Sequence, residues 1–232
     1  MSDTRTTQEI RDALLAAALE HVVFDGWGPA TFTAACLDAN VDPGLAESIF
    51  PRRHVDLAVA FHKLGDAAMV ERMKSEDMSG MRFRDKVAFA VRARLEAVPD
   101  KEVVRRGSSL FALPQYGPDG AKLVWETADL IWTTLGDTSD DINWYTKRAS
   151  LSAVYGSTVL YWLGDQSEGH AETWGFLDRR IDNVMKIEEI KAAARKNPLL
   201  KAAFAGPNWV LSQVKAPTRG TRPDLPGSIT PK

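Results

Sequence analysis

One cysteine, Cys36, stands in 232 residues, so no disulfide can close within the chain, and a reducing compartment is expected. No apolar run reaches the roughly 18 residues needed to span a bilayer. The first residues carry acids early. They show neither the basic-then-apolar order of a secretory signal nor an Arg-rich, acid-poor presequence. The expectation is a bacterial cytoplasmic protein, peripheral on the inner face of the membrane. Catalytic signatures are missing as well: there is no His-Glu-x-x-His, no Glu-x-x-His, no Cys-x-x-Cys and no Gly-x-Ser-x-Gly. Gly117-Pro118-Asp119-Gly120-Ala121-Lys122 lacks the glycine spacing and the Ser/Thr of a phosphate loop. His21, His54, His62 and His170 are scattered without a cluster, and Cys36 among small apolar neighbours reads as a packed hydrophobe. No enzyme, cofactor or metal site is expected.

A hydrophobic share of 44% and a charged share of 26% describe an ordinary globular protein. The net charge of −2 hides an asymmetry. Residues 1 to 64 hold five Lys or Arg against nine Asp or Glu, while residues 186 to 232 hold nine against three. Apolar residues recur at helical spacing almost throughout. Ile10, Leu14, Ala17, Ala18 and Val22 predict a helix over 7–23. Further helical pieces fall at 31–39, 43–49, 55–73, from 83 until Pro99, and at 101–113, 121–135, 142–163 and 168–187. Gly117-Pro118 reads as a turn, Gly136 as a C-terminal cap, and Ser139, Asp140 or Asp141 as the cap that opens the next helix. No series of alternating strands appears. The expected fold is all-α, with a helical domain over 5–187 (5–64 a helix-turn-helix part, 65–187 a ligand and partner part). An amphipathic segment over 188–215 and a disordered tail over 216–232 follow.

Thr33-Ala34-Ala35 and Val41-Asp42-Pro43-Gly44-Leu45-Ala46-Glu47-Ser48-Ile49-Phe50-Pro51-Arg52-Arg53 resemble the DNA-binding motif of TetR-type repressors, which implies a TetR-like helical bundle. The second helix would be the reader. It carries Glu47 and no Lys or Arg. Affinity for DNA comes mainly from cations on phosphates, and the acidic front end would repel a duplex. No nucleic-acid partner is expected, and a ligand-responsive transcription regulator is the alternative reading.

Gly136-Asp137-Thr138-Ser139-Asp140-Asp141-Ile142-Asn143-Trp144-Tyr145-Thr146-Lys147-Arg148 is a polar loop ending in two aromatics and two cations. Such a cluster suits recognition, with rigid aromatic anchors and charges that fix register. Around it lie Trp125, Trp132, Trp144, Trp162 and Trp174, five of the seven tryptophans. Ile131 lies on the preceding helical stripe, and Leu151, Val154, Tyr155, Thr158 and Trp162 share one stripe of the next. Spacing alone leaves two readings open, an aromatic core or an apolar cavity filled by a lipid tail.

The loop, followed by Val154-Tyr155, Tyr161-Trp162-Leu163 and Thr173-Trp174 with Phe176-Leu177-Asp178-Arg179-Arg180, resembles the coenzyme Q biosynthesis protein nine family over about residues 120 to 187. The resemblance implies a lipid-binding accessory protein of ubiquinone synthesis. It implies an isoprenoid lipid or quinone precursor as ligand, bound near Ile131, Leu151, Val154, Tyr155 and Trp162. It implies a ubiquinone-pathway hydroxylase as partner, docked on Asp141, Trp144, Tyr145 and Arg148, and a homodimer. Ile142 stands where the family usually has Phe.

Leu199, Leu200, Ala203, Phe204, Val210, Leu211 and Val214 form an apolar stripe, with Lys201 and Lys215 largely opposite. An apolar face with basic flanks suits a helix lying in the headgroup region of a membrane surface, where each cation near anionic lipid adds about 1 kcal/mol. Leu199, Leu200, Lys201, Phe204, Val210, Leu211 and Lys215 are the expected membrane contacts. Gly206-Pro207 should kink the segment.

Overall fold

Thr6 and Glu9 start the first helix by a reciprocal exchange. The Thr6 hydroxyl accepts from the Glu9 amide at 3.2 Å and the Glu9 carboxylate from the Thr6 amide at 2.6 Å, satisfying two amides that a helix start leaves without partners. The computed structural model describes residues 5–98, 100–196 and 215–217, with side chains as far as 186 in the last helix. Among them the order is α1 (Thr7–Asp25), α2 (Pro29–Asp38), α3 (Pro43–Ile49), α4 (His54–Ser75), α5 (Phe83–Glu96), α6 (Lys101–Phe111), α7 (Gly117–Thr134), α8 (Ile142–Gly164), a 3-10 turn (Glu168–His170) and α9 (Ala171–Lys196). No strand occurs among the described residues.

The all-α architecture expected from periodicity is present. One local reading is corrected. Gly117-Pro118 does not form a separate turn but opens α7, with proline in the first turn. There its missing N–H is one the helix would leave unpaired anyway. The helix α9 also runs on to Lys196, beyond the boundary expected at 187.

Two apolar clusters organise the helices. The first joins α1, α2, α3, the start of α4 and α6 through Leu14, Ala18, Val22, Phe32, Ala35, Phe50 and Leu57. Cys36 belongs to it, 3% exposed. The second joins the end of α4 to α5, α7, α8 and α9 through Met69, Ala90, Val91, Ile131, Leu151, Val154 and Leu177. The helix α8 buries Leu151, Val154, Tyr155, Thr158 and Trp162 at three- and four-residue intervals. Truncating a buried leucine such as Leu151 in such a core costs about 2–5 kcal/mol.

Candidate functional site

The loop before α8 is built by its own backbone needs. Gly136 adopts φ +82°, a conformation that glycine takes without a Cβ penalty. Its amide and that of Asp137 donate to Thr133 and Trp132 carbonyls, each at 3.0 Å, closing the end of α7. Asp141 then caps α8, its carboxylate accepting from the Asn143 amide at 2.8 Å. Between these two caps the Asp137 carboxylate is turned inward, its side chain 3% exposed, with the Lys147 ammonium at 2.7 Å and Arg148 Nη1 at 3.0 Å. Burial works against its charge. Hydrogen bonds from Lys147, Ser139 and Arg148 outweigh that and hold its pKa down to about 2.

Arg148 is 1% exposed. Its Nε donates to Asp129 at 2.5 Å, its Nη1 also reaches the Trp144 carbonyl at 3.1 Å, and its guanidinium lies 4.0 Å from the centre of the Trp144 ring. Trp144 meets Tyr145 edge-on at 4.8 Å and leans on Trp125 at 5.9 Å. Trp144 and Tyr145 are half-buried and Asp141 is exposed. Of the four residues expected to dock a partner, three therefore share a surface and Arg148 lies beneath it, fixing Trp144. Spacing could not show this, because a cation following Trp-Tyr reads equally well as a surface charge. Residues 215–217 come back to the same place: the Tyr145 hydroxyl donates to the Lys215 carbonyl at 3.3 Å and the Ala216 amide to the Asp140 carbonyl at 2.8 Å.

An apolar cavity of about 270 Å³ lies at the seam between the two clusters, walled by Trp27, Ala58, Phe61, Leu95, Val103, Val104, Phe111, Val124, Tyr155 and Gly156, among others. Its wall also carries His62 and Arg94, which belong to a buried polar network. Arg94 Nε donates to Asp66 Oδ1 at 2.6 Å, the Thr127 hydroxyl donates to the same oxygen at 2.9 Å, and His62 Nε2 lies 2.9 Å from that hydroxyl. Burial, and next the nearby Arg94 cation, lowers the His62 pKa to about 3, so the ring is neutral. Burial raises that of Asp66, against the pull of Arg94. Burial likewise pushes the Tyr155 phenol up. A second apolar cavity of about 220 Å³ lies between α5, α8 and α9, lined by Phe83, Val87, Trp132, Leu151, Val154 and Ile181, among others.

The expected lipid contacts separate on this geometry. Tyr155 lines the larger cavity, Leu151 and Val154 line the smaller one, and Ile131 and Trp162 are packed in the second cluster. The stripe of α8 at 151, 155, 158 and 162 is buried, and Tyr155, Gly156, Val159 and Leu160 line the larger cavity. The walls from Trp27, α4 and α6 escaped sequence reading because they lie far along the chain from α8; Gly107 and Gly120, small residues in helices, were the available signal. Leu199, Leu200, Lys201, Phe204, Val210 and Leu211 lie outside the described residues, and Lys215 is exposed. No group of three or more metal-ligating side chains occurs among the described residues.

Arg52 and Arg53, the cations following the expected reader helix, both face carboxylates. Arg52 pairs with Asp56 and Asp119, each at 2.9 Å, and Arg53 with Glu47 at 2.9 Å.

Residues 117–188 match the family model COQ9. The chain is 36% identical over 186 residues to the mitochondrial ubiquinone biosynthesis protein COQ9 of Drosophila melanogaster, covering 77% of this chain and 56% of that protein. It is 30% identical over 198 residues to the probable mitochondrial ubiquinone biosynthesis protein coq9 of Dictyostelium discoideum, covering 79% and 62%. The human COQ9 protein shares 28% over 201 residues, covering 80% and 60%. The chain thus spans less than two thirds of the length of these relatives. Among solved structures, a TetR transcriptional regulator from Nitrosomonas europaea superposes with a TM-score of 0.60 at 18% identity, over 75% of this chain and 97% of that one. That likeness shows the TetR-like fold.

These relatives correct the expected location. They are mitochondrial proteins of eukaryotes, which overturns the reading of a bacterial cytoplasmic protein at the inner face of the membrane. That reading leaned on the first residues and on the single cysteine. No helix among the described residues is long and apolar enough to cross a membrane.

Proposed function

We propose, for a chain whose residues 117–188 match the COQ9 family model and which is similar to ubiquinone biosynthesis proteins, that it is a non-enzymatic accessory protein. It binds an isoprenoid quinone precursor at a membrane surface and passes it to a pathway hydroxylase. The observation that carries the reading is the apolar cavity of about 270 Å³ at the seam of the bundle. A pocket walled by aromatic and aliphatic side chains suits a hydrocarbon ligand.

Trp144, Tyr145 and Asp141 are the docking surface for the hydroxylase. Anchoring of residues 215–217 beside Tyr145 brings the end of the expected membrane segment to that same surface. The test is native mass spectrometry of the purified protein, with and without added prenylated benzoquinone. Bound lipid is the expected result; absence of any uptake would overturn the reading.

The TetR-like fold favours a second reading, a ligand-responsive transcription regulator. Against it stand the acidic front end and the pairing of Arg52 and Arg53 with carboxylates, which leaves few charges for phosphates.

A further inference from the structure

Arg94 is 4% exposed, yet its guanidinium is incompletely used by the protein. Nε donates to Asp66 at 2.6 Å and Nη2 to the His62 carbonyl at 2.9 Å. Nη1 makes no hydrogen bond among the described residues. Gly65 leaves the space for it: a Cβ there would stand 2.5 Å from Nη1. Two neighbouring polar groups are already engaged, His62 with the Thr127 hydroxyl and that hydroxyl with Asp66. The wall of a largely apolar cavity thus carries a guanidinium with one edge that has no protein acceptor among the described residues.

We infer that the cavity holds a neutral oxygen acceptor of its ligand, a carbonyl, phenol or ether oxygen, against Nη1 of Arg94. This rests on the lipid-binding reading above and gives it an orientation. Charge selects neutral over anionic oxygen. Asp66 already balances Arg94, His62 is neutral, and a ligand carboxylate would place a second anion on a single cation in a dry site. Volume agrees. A dry cavity of about 150 Å³ takes a benzene ring, so about 270 Å³ takes one substituted ring and a few further carbons. The rest of a long chain must leave, and Leu160, a wall residue that is 68% exposed, marks where. The ring is held inward while bound, and delivery to the hydroxylase requires its release from Arg94.

The experiment compares three probes by equilibrium dialysis against the full chain: a decyl-substituted dimethoxybenzoquinone, decylbenzene and decanoate. The quinone should bind about tenfold or more tighter than decylbenzene, as expected for a hydrogen bond from a charged donor, and tighter than decanoate. Arg94→Met together with Asp66→Leu removes both charges and strands neither. In that variant the quinone-to-decylbenzene ratio should fall to about one, with decylbenzene binding within about twofold of the parent. Gly65→Ala, which crowds Nη1, should weaken the quinone alone and carries the test if the double variant does not fold. Equal binding of quinone and decylbenzene by the parent chain overturns this inference while leaving the lipid reading in place. A ratio unchanged in the variants, or decanoate binding tightest, also overturns it. Uptake of no probe removes both.

Discussion

Replacing Arg148 by Met should destabilise the fold far more than replacing its neighbour Trp144 by Ala, although both stand in one recognition-like motif. The guanidinium is 1% exposed and serves two carboxylates, Asp129 at 2.5 Å and Asp137 at 3.0 Å. Removing one partner of a buried ion pair costs about 3–5 kcal/mol, because the other charge is left without its counterion. Lys147 still reaches Asp137 at 2.7 Å, and the Asp129 side chain is 30% exposed, so the lower end applies. Losing the stack on Trp144 adds up to about 1 kcal/mol, giving roughly 3–4 kcal/mol in all. That is a large part of the 5–15 kcal/mol typical of a domain.

Trp144→Ala keeps both ion pairs and loses a half-buried ring, so about 1–2 kcal/mol is expected. Urea unfolding followed by circular dichroism separates the two. With a slope of about 1–3 kcal/mol per molar for a small domain, the Arg148→Met midpoint should drop by more than 1 M and the Trp144→Ala midpoint by clearly less. A loss of under about 1 kcal/mol for Arg148→Met, the range of exposed ion pairs, would refute the keystone role and return Arg148 to the surface.

Hydroxylase capture by the immobilised protein should weaken on Trp144→Ala or Tyr145→Ala by on the order of 2 kcal/mol while helicity is kept; unchanged capture would move the docking surface elsewhere. Stability should fall as pH drops below the ordinary histidine range, because His62 is held down to about 3 in the fold and the unfolded chain takes the proton first. Its contribution is fully present above about pH 6.5 and lost as pH falls toward about 3, near 1.4 kcal/mol per pH unit. His62→Gln should flatten that limb in urea titrations between about pH 7 and pH 5, and an unchanged slope would refute the assignment. Gly136→Ala, forced to φ +82°, should cost about 1 kcal/mol in the same assay, and no loss would mean that the turn rearranges freely. Duplex DNA should show no salt-sensitive binding in a mobility-shift titration; tight, specific retention would favour the regulator reading.

Much of the helical plan is legible because burial and helical period coincide. Leu14, Ala18 and Val22 are fully buried and repeat at an interval of four. Asp141 and Gly136 announce their ends by cap chemistry that needs no tertiary partner. What escaped depends on residues distant in sequence. The cavity exists only where Trp27, Phe61, Phe111 and Tyr155 meet, and no period within one helix encodes that meeting. Arg148 and Arg94 escaped for a related reason. A lone arginine looks solvated until the carboxylates facing it, Asp129 and Asp137 or Asp66, arrive from other elements. Pro118 misled because proline breaks helices in general and starts them at one position.

The larger cavity borrows its walls from both apolar clusters: Trp27, Ala58 and Val103 from one, Leu95 and Tyr155 from the other. An occupant would add to the contacts that the two halves already make through α4 and α6. Filled, the halves should melt more nearly as a single cooperative unit than when the cavity is empty. Occupancy would thus be written into the number of unfolding steps, and degradation that attacks the half-open form would spare the loaded protein and clear the empty one.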